Sequence, residues 1–394
     1  MNRQKQQSGR GLGVLWLLMF VLGALLIAVY GLAQFRLGNL RPEQLFGGGT
    51  RTPIPSATAT RDPQGVMDEG DAAYKAGDFR KAISIYEQAL RRKPNDALLI
   101  FKIARLQTFI GQPDRAEQRL QRALQIEPNN ANIALLRAGL CMSLDWQTRV
   151  AEAIRECNAA LALDPNNASA NAYLAEAFAD NGDFRAARTA AQRALELAPR
   201  DPDALRNMGY TYELQGRYPE AISYYGEALD AVRGLPHVSL AIGRSYYAQG
   251  FVDKAILYYQ QALEKDPAYG EAYERLGTAY NTLREPQPAD AIIWFNKGIE
   301  VDPKRYTLLT GRARANFLRK TYENSIVDYT TAISISTQLG KSITPLDYIY
   351  LGFAHEQTKQ CPAAIEAWNK AVVLSRQDKD ILDQAQVGYK RCGR

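Results

Sequence analysis

Few residues in this chain have the type and spacing that chemistry requires. The two histidines, His237 and His355, stand alone, with no H-E-x-x-H pair and no cysteine nucleophile beside them. Neither is arranged to hold zinc or to relay a proton. Gly340-Lys341-Ser342 has the tail of a phosphate-binding loop, but Ile335 stands where the first glycine belongs, and a helical pattern precedes it where a strand is needed. No G-x-S-x-G elbow and no Gly-rich dinucleotide turn occurs. The four cysteines, Cys141, Cys157, Cys361 and Cys392, form no C-x-x-C and are too scattered for a zinc module. What remains open to them is disulfide formation or service as small apolar side chains. The expectation is a chain with no catalysis of its own, no metal, no cofactor and no small-molecule substrate.

The elements that must position any functional residue are clearest in Asp203 to Ala228. Apolar residues fall at Leu205, Met208 and Tyr212, then at Ala221, Ile222, Tyr225 and Ala228, the three-and-four spacing of a helical face. Gly216 breaks the pattern between them, and Pro219 sits where the first turn of a second helix tolerates it. The pair forms a hairpin with an apolar edge still open. Neighbours are supplied at an offset of 34, where Gly243, Tyr246, Gly250, Ala255, Tyr259 and Ala262 repeat Gly209, Tyr212, Gly216, Ala221, Tyr225 and Ala228. The small residue at which the two helices cross recurs as Ala82, Ala116, Ala153, Ala187, Ala221, Ala255, Ala291, Ser325 and Ala364. Six units close on a proline (Pro94, Pro128, Pro165, Pro199, Pro267, Pro303), while the fifth, eighth and ninth do not. Extra residues are expected in loops around Asp145–Arg149, Glu285–Pro288 and Leu339–Thr344.

This period and pattern resemble the tetratricopeptide repeat (TPR), a 34-residue helix-turn-helix unit that stacks into a superhelix. The resemblance implies an all-α, right-handed superhelical solenoid of about nine TPR repeats over residues 63–377, with a capping helix in 378–394. It also implies a concave groove lined by the first helices. Carried onto this chain, one groove row is Tyr210, Arg244, Thr278 and Arg314, and a second is Glu213, Tyr247, Asn281 and Phe317, with Arg206 one turn before Tyr210. Aromatics beside arginines suit a protein or peptide partner; the alternative is a merely solvated inner face. The 22 tyrosines otherwise fall mostly at core positions of the hairpin. The family's carboxylate clamp is not expected, since Met67 and Asp71 stand where a Lys and an Asn are needed. In the hairpin Cys141 and Cys157 face the seam, at the places of Tyr212 and Tyr225. Cys361 opens the last second helix and Cys392 ends the cap. Disulfides Cys141–Cys157 and Cys361–Cys392 are therefore both open.

Ahead of the repeats, residues 1–11 form a short basic tail and 12–33 an uncharged apolar run, long enough to cross a bilayer. Residues 34–62 are a Gly/Pro/Ser/Thr-rich linker. The expectation is a transmembrane signal anchor over 12–33, with the N-terminus cytoplasmic and the repeats extracytoplasmic; secretion after signal cleavage near Ala33 is the alternative. The formal net charge is +6. Seven of the 48 Lys/Arg and two of the 42 Asp/Glu lie in residues 1–62, leaving 41 against 40 in the remainder. Such a balance argues against nucleic acid. Function is read as a membrane-anchored scaffold or adaptor that binds partner proteins in the groove. The alternative is a regulatory or assembly subunit of a membrane-bound enzyme or of export or envelope machinery.

Overall fold

The structure, a computed structural model, describes residues 63–126, 132–376 and 378–393. Among these residues there are nineteen helices and no strand. They are α1 (Pro63–Lys75), α2 (Phe79–Leu90), α3 (Ala97–Phe109), α4 (Pro113–Ile126), α5 (Ile133–Asp145), α6 (Val150–Leu163), α7 (Ala168–Asp180), α8 (Phe184–Leu197), α9 (Pro202–Leu214) and α10 (Tyr218–Ala231). There follow α11 (Pro236–Ala248), α12 (Val252–Lys265), α13 (Gly270–Thr282), α14 (Pro288–Val301), α15 (Tyr306–Leu318), α16 (Tyr322–Gln338), α17 (Pro345–Gln357), α18 (Cys361–Leu374) and α19 (Lys379–Arg391). Each odd-numbered helix packs on the next even one as a hairpin, and each hairpin packs on its successor. The expected all-helical repeat solenoid is what the chain forms. Alone at the end, α19 buries Ile381 and Ala385 against the last hairpin, and Tyr389 meets Trp368 edge-on at 5.8 Å.

In four hairpins the seam follows a size rule that starts in the sequence. Residues sixteen apart oppose one another where the helices cross. A Cβ added to Gly70, Gly209, Gly243 or Gly352 would fall within 2.8 Å of the ring of Tyr86, Tyr225, Tyr259 or Trp368, respectively. Each of these four rings is all but removed from water. Where the first helix instead carries Ala104, the opposing residue is Leu120; where it carries Ala175, the partner position holds Ala191. The ring fills the space that the missing side chain leaves, so the seam keeps interior packing density.

Cys141 and Cys157 occupy this same pair of positions in the third hairpin, bonded with Cα atoms 5.3 Å apart. Here the expectation needs correction: Cys141 stands at the place of Gly209, not of Tyr212. The turns show why. Arg149 N–H donates to Leu144 O at 3.0 Å just as Arg217 N–H donates to Tyr212 O at 3.0 Å. The third hairpin therefore contains no insertion at 145–149, and its extra residues precede α5. The expected loop at 339–344 joins α16 to α17, and α16, at 17 residues, takes up part of that unit's extra length as helix.

Turns between the paired helices need a left-handed residue. Gly77, Gly111, Gly182, Gly216 and Gly250 supply it, with φ from 72° at Gly216 to 84° at Gly77. Thr148, Lys320 and Lys359 occupy the same place in the third, eighth and ninth hairpins, at φ 62°, 62° and 60°.

The expectation of a single-pass membrane protein is corrected. Among the described residues no helix is long and apolar enough to cross a membrane. The tail 1–11, the apolar run 12–33 and the linker 34–62, on which that expectation rested, lie outside the described residues.

Candidate partner-binding surface

The inner face is built by the odd-numbered helices, and it comes in two parts. In the first part it is filled by the chain's own side chains. Helices α3 (ALLIFKIARLQTF) and α5 (IALLRAGLCMSLD) are apolar almost all round, so both flanks must be covered. Cover comes from across the groove. Arg105 of α3 reaches Asp203 at the start of α9, Nε to Oδ2 at 2.5 Å and Nη2 to Oδ1 at 2.7 Å. Tyr173 of α7 donates to the same carboxylate at 2.6 Å, and Arg105 also donates to Tyr74 of α1 at 2.8 Å. His237 of α11 stacks on Phe109 of α3, ring centroids 4.0 Å apart and 12° from parallel, with Phe79 of α2 at 5.8 Å. The turn after α1 also meets the turn after α10. A Cβ on Gly77 would fall on the carbonyl oxygen of Gly234, so two glycines let the backbones touch. Beside them Arg80 pairs with Asp266 at 3.3 Å. The first two hairpins are thus closed onto the fifth and sixth.

Within this closed front lies a buried polar cluster. Arg206 pairs with Glu176 at 2.5 Å, and Trp146 Nε1 donates to Glu176 at 2.9 Å. Tyr210 donates to Asp180 at 2.6 Å, and the Arg206 guanidinium lies 5.4 Å from the Trp146 ring centroid. Asp145 is buried, and burial with the nearby carboxylates Glu176 and Asp180 pushes it up to about 9. Burial also raises Glu176, with Arg206 opposing. Asp203 is buried too, yet Arg105 outweighs that penalty and holds it below the usual carboxylate value. Burial and then Arg206 hold His237 well below the usual imidazole value, so it is neutral.

In the second part, the inner faces of α11 to α17, the contacts of the row residues run within a hairpin or to an adjacent one. Arg244 pairs with Glu213 at 3.0 Å. Tyr247 donates to Thr282 at 3.0 Å, and Asn281 donates to the Gly311 carbonyl at 3.2 Å. Arg314 donates to the Tyr350 hydroxyl at 3.0 Å while lying over that ring at 4.4 Å. Phe317 meets Tyr350 edge-on at 5.2 Å. Tyr247, Thr278, Arg314, Phe317 and Tyr350 all stay half-buried, with one side still facing outward.

The six residues expected to line a groove do lie along the odd-numbered helices, but they do not form one site. Arg206 is buried in the closed front and committed to Glu176, and Tyr210 stands at the edge of that cluster. Arg244 is committed to Glu213. Tyr247, Arg314 and Phe317 belong to the open part. Sequence reasoning missed Arg105, Asp203, Trp146, Glu176 and His237. The signal was present in the nearly all-apolar α3 and α5, whose inner sides could not have been left to solvent. Cys361 and Cys392 are bonded, Cα atoms 5.5 Å apart, and tie α19 to the start of α18.

Comparison with known proteins agrees with this architecture. Two family models described as tetratricopeptide repeat match residues 73–140, and 173–236 with 240–304. The chain is 22% identical over 357 residues to the protein CTR9 homolog of Arabidopsis thaliana, covering 85% of this chain and 32% of that protein. It is 28% identical over 200 residues to the TPR repeat-containing protein PA4667 of Pseudomonas aeruginosa, covering 50% of this chain and 33% of that one. The chain therefore spans about a third of the length of these relatives. A crystal structure of the APC/C hetero-tetramer Cut9–Hcn1 superposes with a TM-score of 0.62 at 16% identity, over 80% of this chain and 59% of that chain, a likeness of fold alone. The repeats read from the sequence are tetratricopeptide repeats, and the chain belongs to the tetratricopeptide-repeat family.

Proposed function

We propose that the protein is an interaction scaffold without catalysis of its own, and that it holds a segment of a partner protein along the inner faces of α11 to α17. The observation that supports this is the contrast between the two parts of the inner face. The front is filled by Arg105, Asp203, His237 and their neighbours, whereas Tyr247, Arg314, Phe317 and Tyr350 keep one side unpacked. Half-exposed aromatic and arginine side chains on a rigid frame contribute most to binding per residue. Tetratricopeptide folds bind protein partners in general, and the match to this family supports the same use here.

The test is site-specific photo-crosslinking in the native host, with the photoreactive side chain at Tyr247 or Phe317 and, for comparison, at exposed Leu257 on the outer helix α12. A discrete partner adduct from the inner positions, lost on Arg314→Glu, is expected. Adducts from Leu257 alone would place the binding surface on the outside.

A further inference from the structure

The outer face of the first two hairpins contains a cleft of about 790 Å3 between α2 and α4, floored by α3 and α5. That volume is within the ~300–1,000 Å3 of ligand-holding clefts, so it suits a short segment and not a folded domain. Its floor is apolar: Ile100 and Leu136 are buried there, with Leu90 and Ala123 beside them. Its rim is basic. Arg91, Arg115 and Arg122 line it, all exposed. Arg115 reaches only Gln112, at 3.2 Å, and none of the three has a carboxylate within ion-pair distance among the described residues. The fourth arginine, Arg119, is held by Glu87 at 2.9 Å and Gln107 at 3.2 Å, which fixes the middle of the cleft. Elsewhere on the repeats some surface arginines sit beside a Glu or Asp, as Arg193, Arg217 and Arg275 do.

We propose that this cleft is a second docking site, for an acidic segment of a partner protein that inserts a bulky aliphatic side chain between α2 and α4. Three separated guanidiniums around an apolar floor match carboxylates spaced along a chain with an apolar residue between them. The chain's own residues 1–62 carry seven Lys/Arg against two Asp/Glu, so their charge does not complement this rim. A nucleic acid needs a basic track that continues along the solenoid, and residues 63–394 hold 41 basic against 40 acidic side chains. This site is separate from the inner face of α11 to α17 and stands whether or not that face binds a partner.

The experiment is fluorescence anisotropy on the full chain with a labelled peptide of alternating glutamate and leucine. A lysine-for-glutamate version and a serine-for-leucine version serve as comparisons. The variant is Arg115→Glu with Arg122→Glu; the control is Arg188→Glu with Arg200→Glu, also exposed and outside the cleft lining. Circular dichroism confirms that both stay folded. Saturable binding to the wild type and the control is expected, with at least about tenfold weaker binding to the cleft variant and to the serine version, and weakening with salt. No saturable binding, an equal loss in the control, or equal binding of the serine version overturns the proposal. Displacement of the peptide by a single-stranded oligonucleotide that binds more tightly overturns it in favour of nucleic acid.

Discussion

In four of the nine described hairpins the seam sets a glycine against an aromatic ring sixteen positions on. At Gly243 a methyl group would fall 2.4 Å from the Tyr259 ring, and that ring is buried. Gly243→Ala is therefore expected to cost about 1–3 kcal/mol in denaturant unfolding, as overpacking does. The double change Gly243→Ala with Tyr259→Leu reproduces the Ala104 and Leu120 pairing of the second hairpin and should recover part of the loss. An unaltered midpoint for the single variant would refute the size rule. The rule was half legible in the sequence. The offset of 34 showed Gly209 and Tyr225 recurring, but not that they touch. The register of Cys141 was misread because the extra residues of the third unit were assigned to its turn. Sixteen residues separate Cys141 from Cys157, as they do Gly209 from Tyr225, and that spacing was available to correct it.

Among the elements, helices and hairpins follow from periodicity, and their ends from turn chemistry. Asp96, Asp183 and Asp201 cap α3, α8 and α9 by accepting from backbone N–H groups, as their positions before apolar runs imply. The turns at Thr148, Lys320 and Lys359 hold non-glycine residues in the left-handed region, where an L side chain costs about 1–2 kcal/mol. Lys320 is exposed, so Lys320→Gly removes strain without removing packing and should raise stability by about 1 kcal/mol, read from the denaturation midpoint. A fall in stability would show that the lysine side chain has a role of its own. At the far end the bond between Cys361 and Cys392 closes a span of 31 residues, worth about 3–4 kcal/mol by the chain-entropy relation. Reduction should speed amide exchange in α19 while leaving α9 to α12 protected. Uniform acceleration along the chain would contradict a local role for this bond.

For the whole molecule, the decisive feature is that the front of the solenoid closes on itself, and periodicity could not show this. A repeat pattern specifies contacts between neighbours, whereas Arg105 with Asp203 and Arg80 with Asp266 join hairpins three or more apart. The only hint was the apolar inner side of α3 and α5. Closure also makes stability depend on pH in two opposed ways. His237 is neutral when folded and protonates near ~6.5 when unfolded, so its contribution is intact above that value and declines as pH falls below it. Asp145 keeps its proton up to about 9 when folded. The unfolded carboxyl loses its proton near ~3.9, so stability declines as pH rises between these values. His237→Phe should flatten the acid limb and Asp145→Asn the alkaline limb of stability against pH. Profiles parallel to the wild type would disprove the burial of these groups.

The most direct test of closure is the distance between the first and sixth hairpins. Spin labels on exposed Lys81 of α2 and exposed Glu264 of α12 flank the Arg80–Asp266 pair. A single short, narrow distance in the full chain is expected, broadened by Arg105→Ala with Asp203→Ala. A long or broad distribution in the unmodified chain would mean that the front stands open, and the inner face would then run unbroken from α1 to α17.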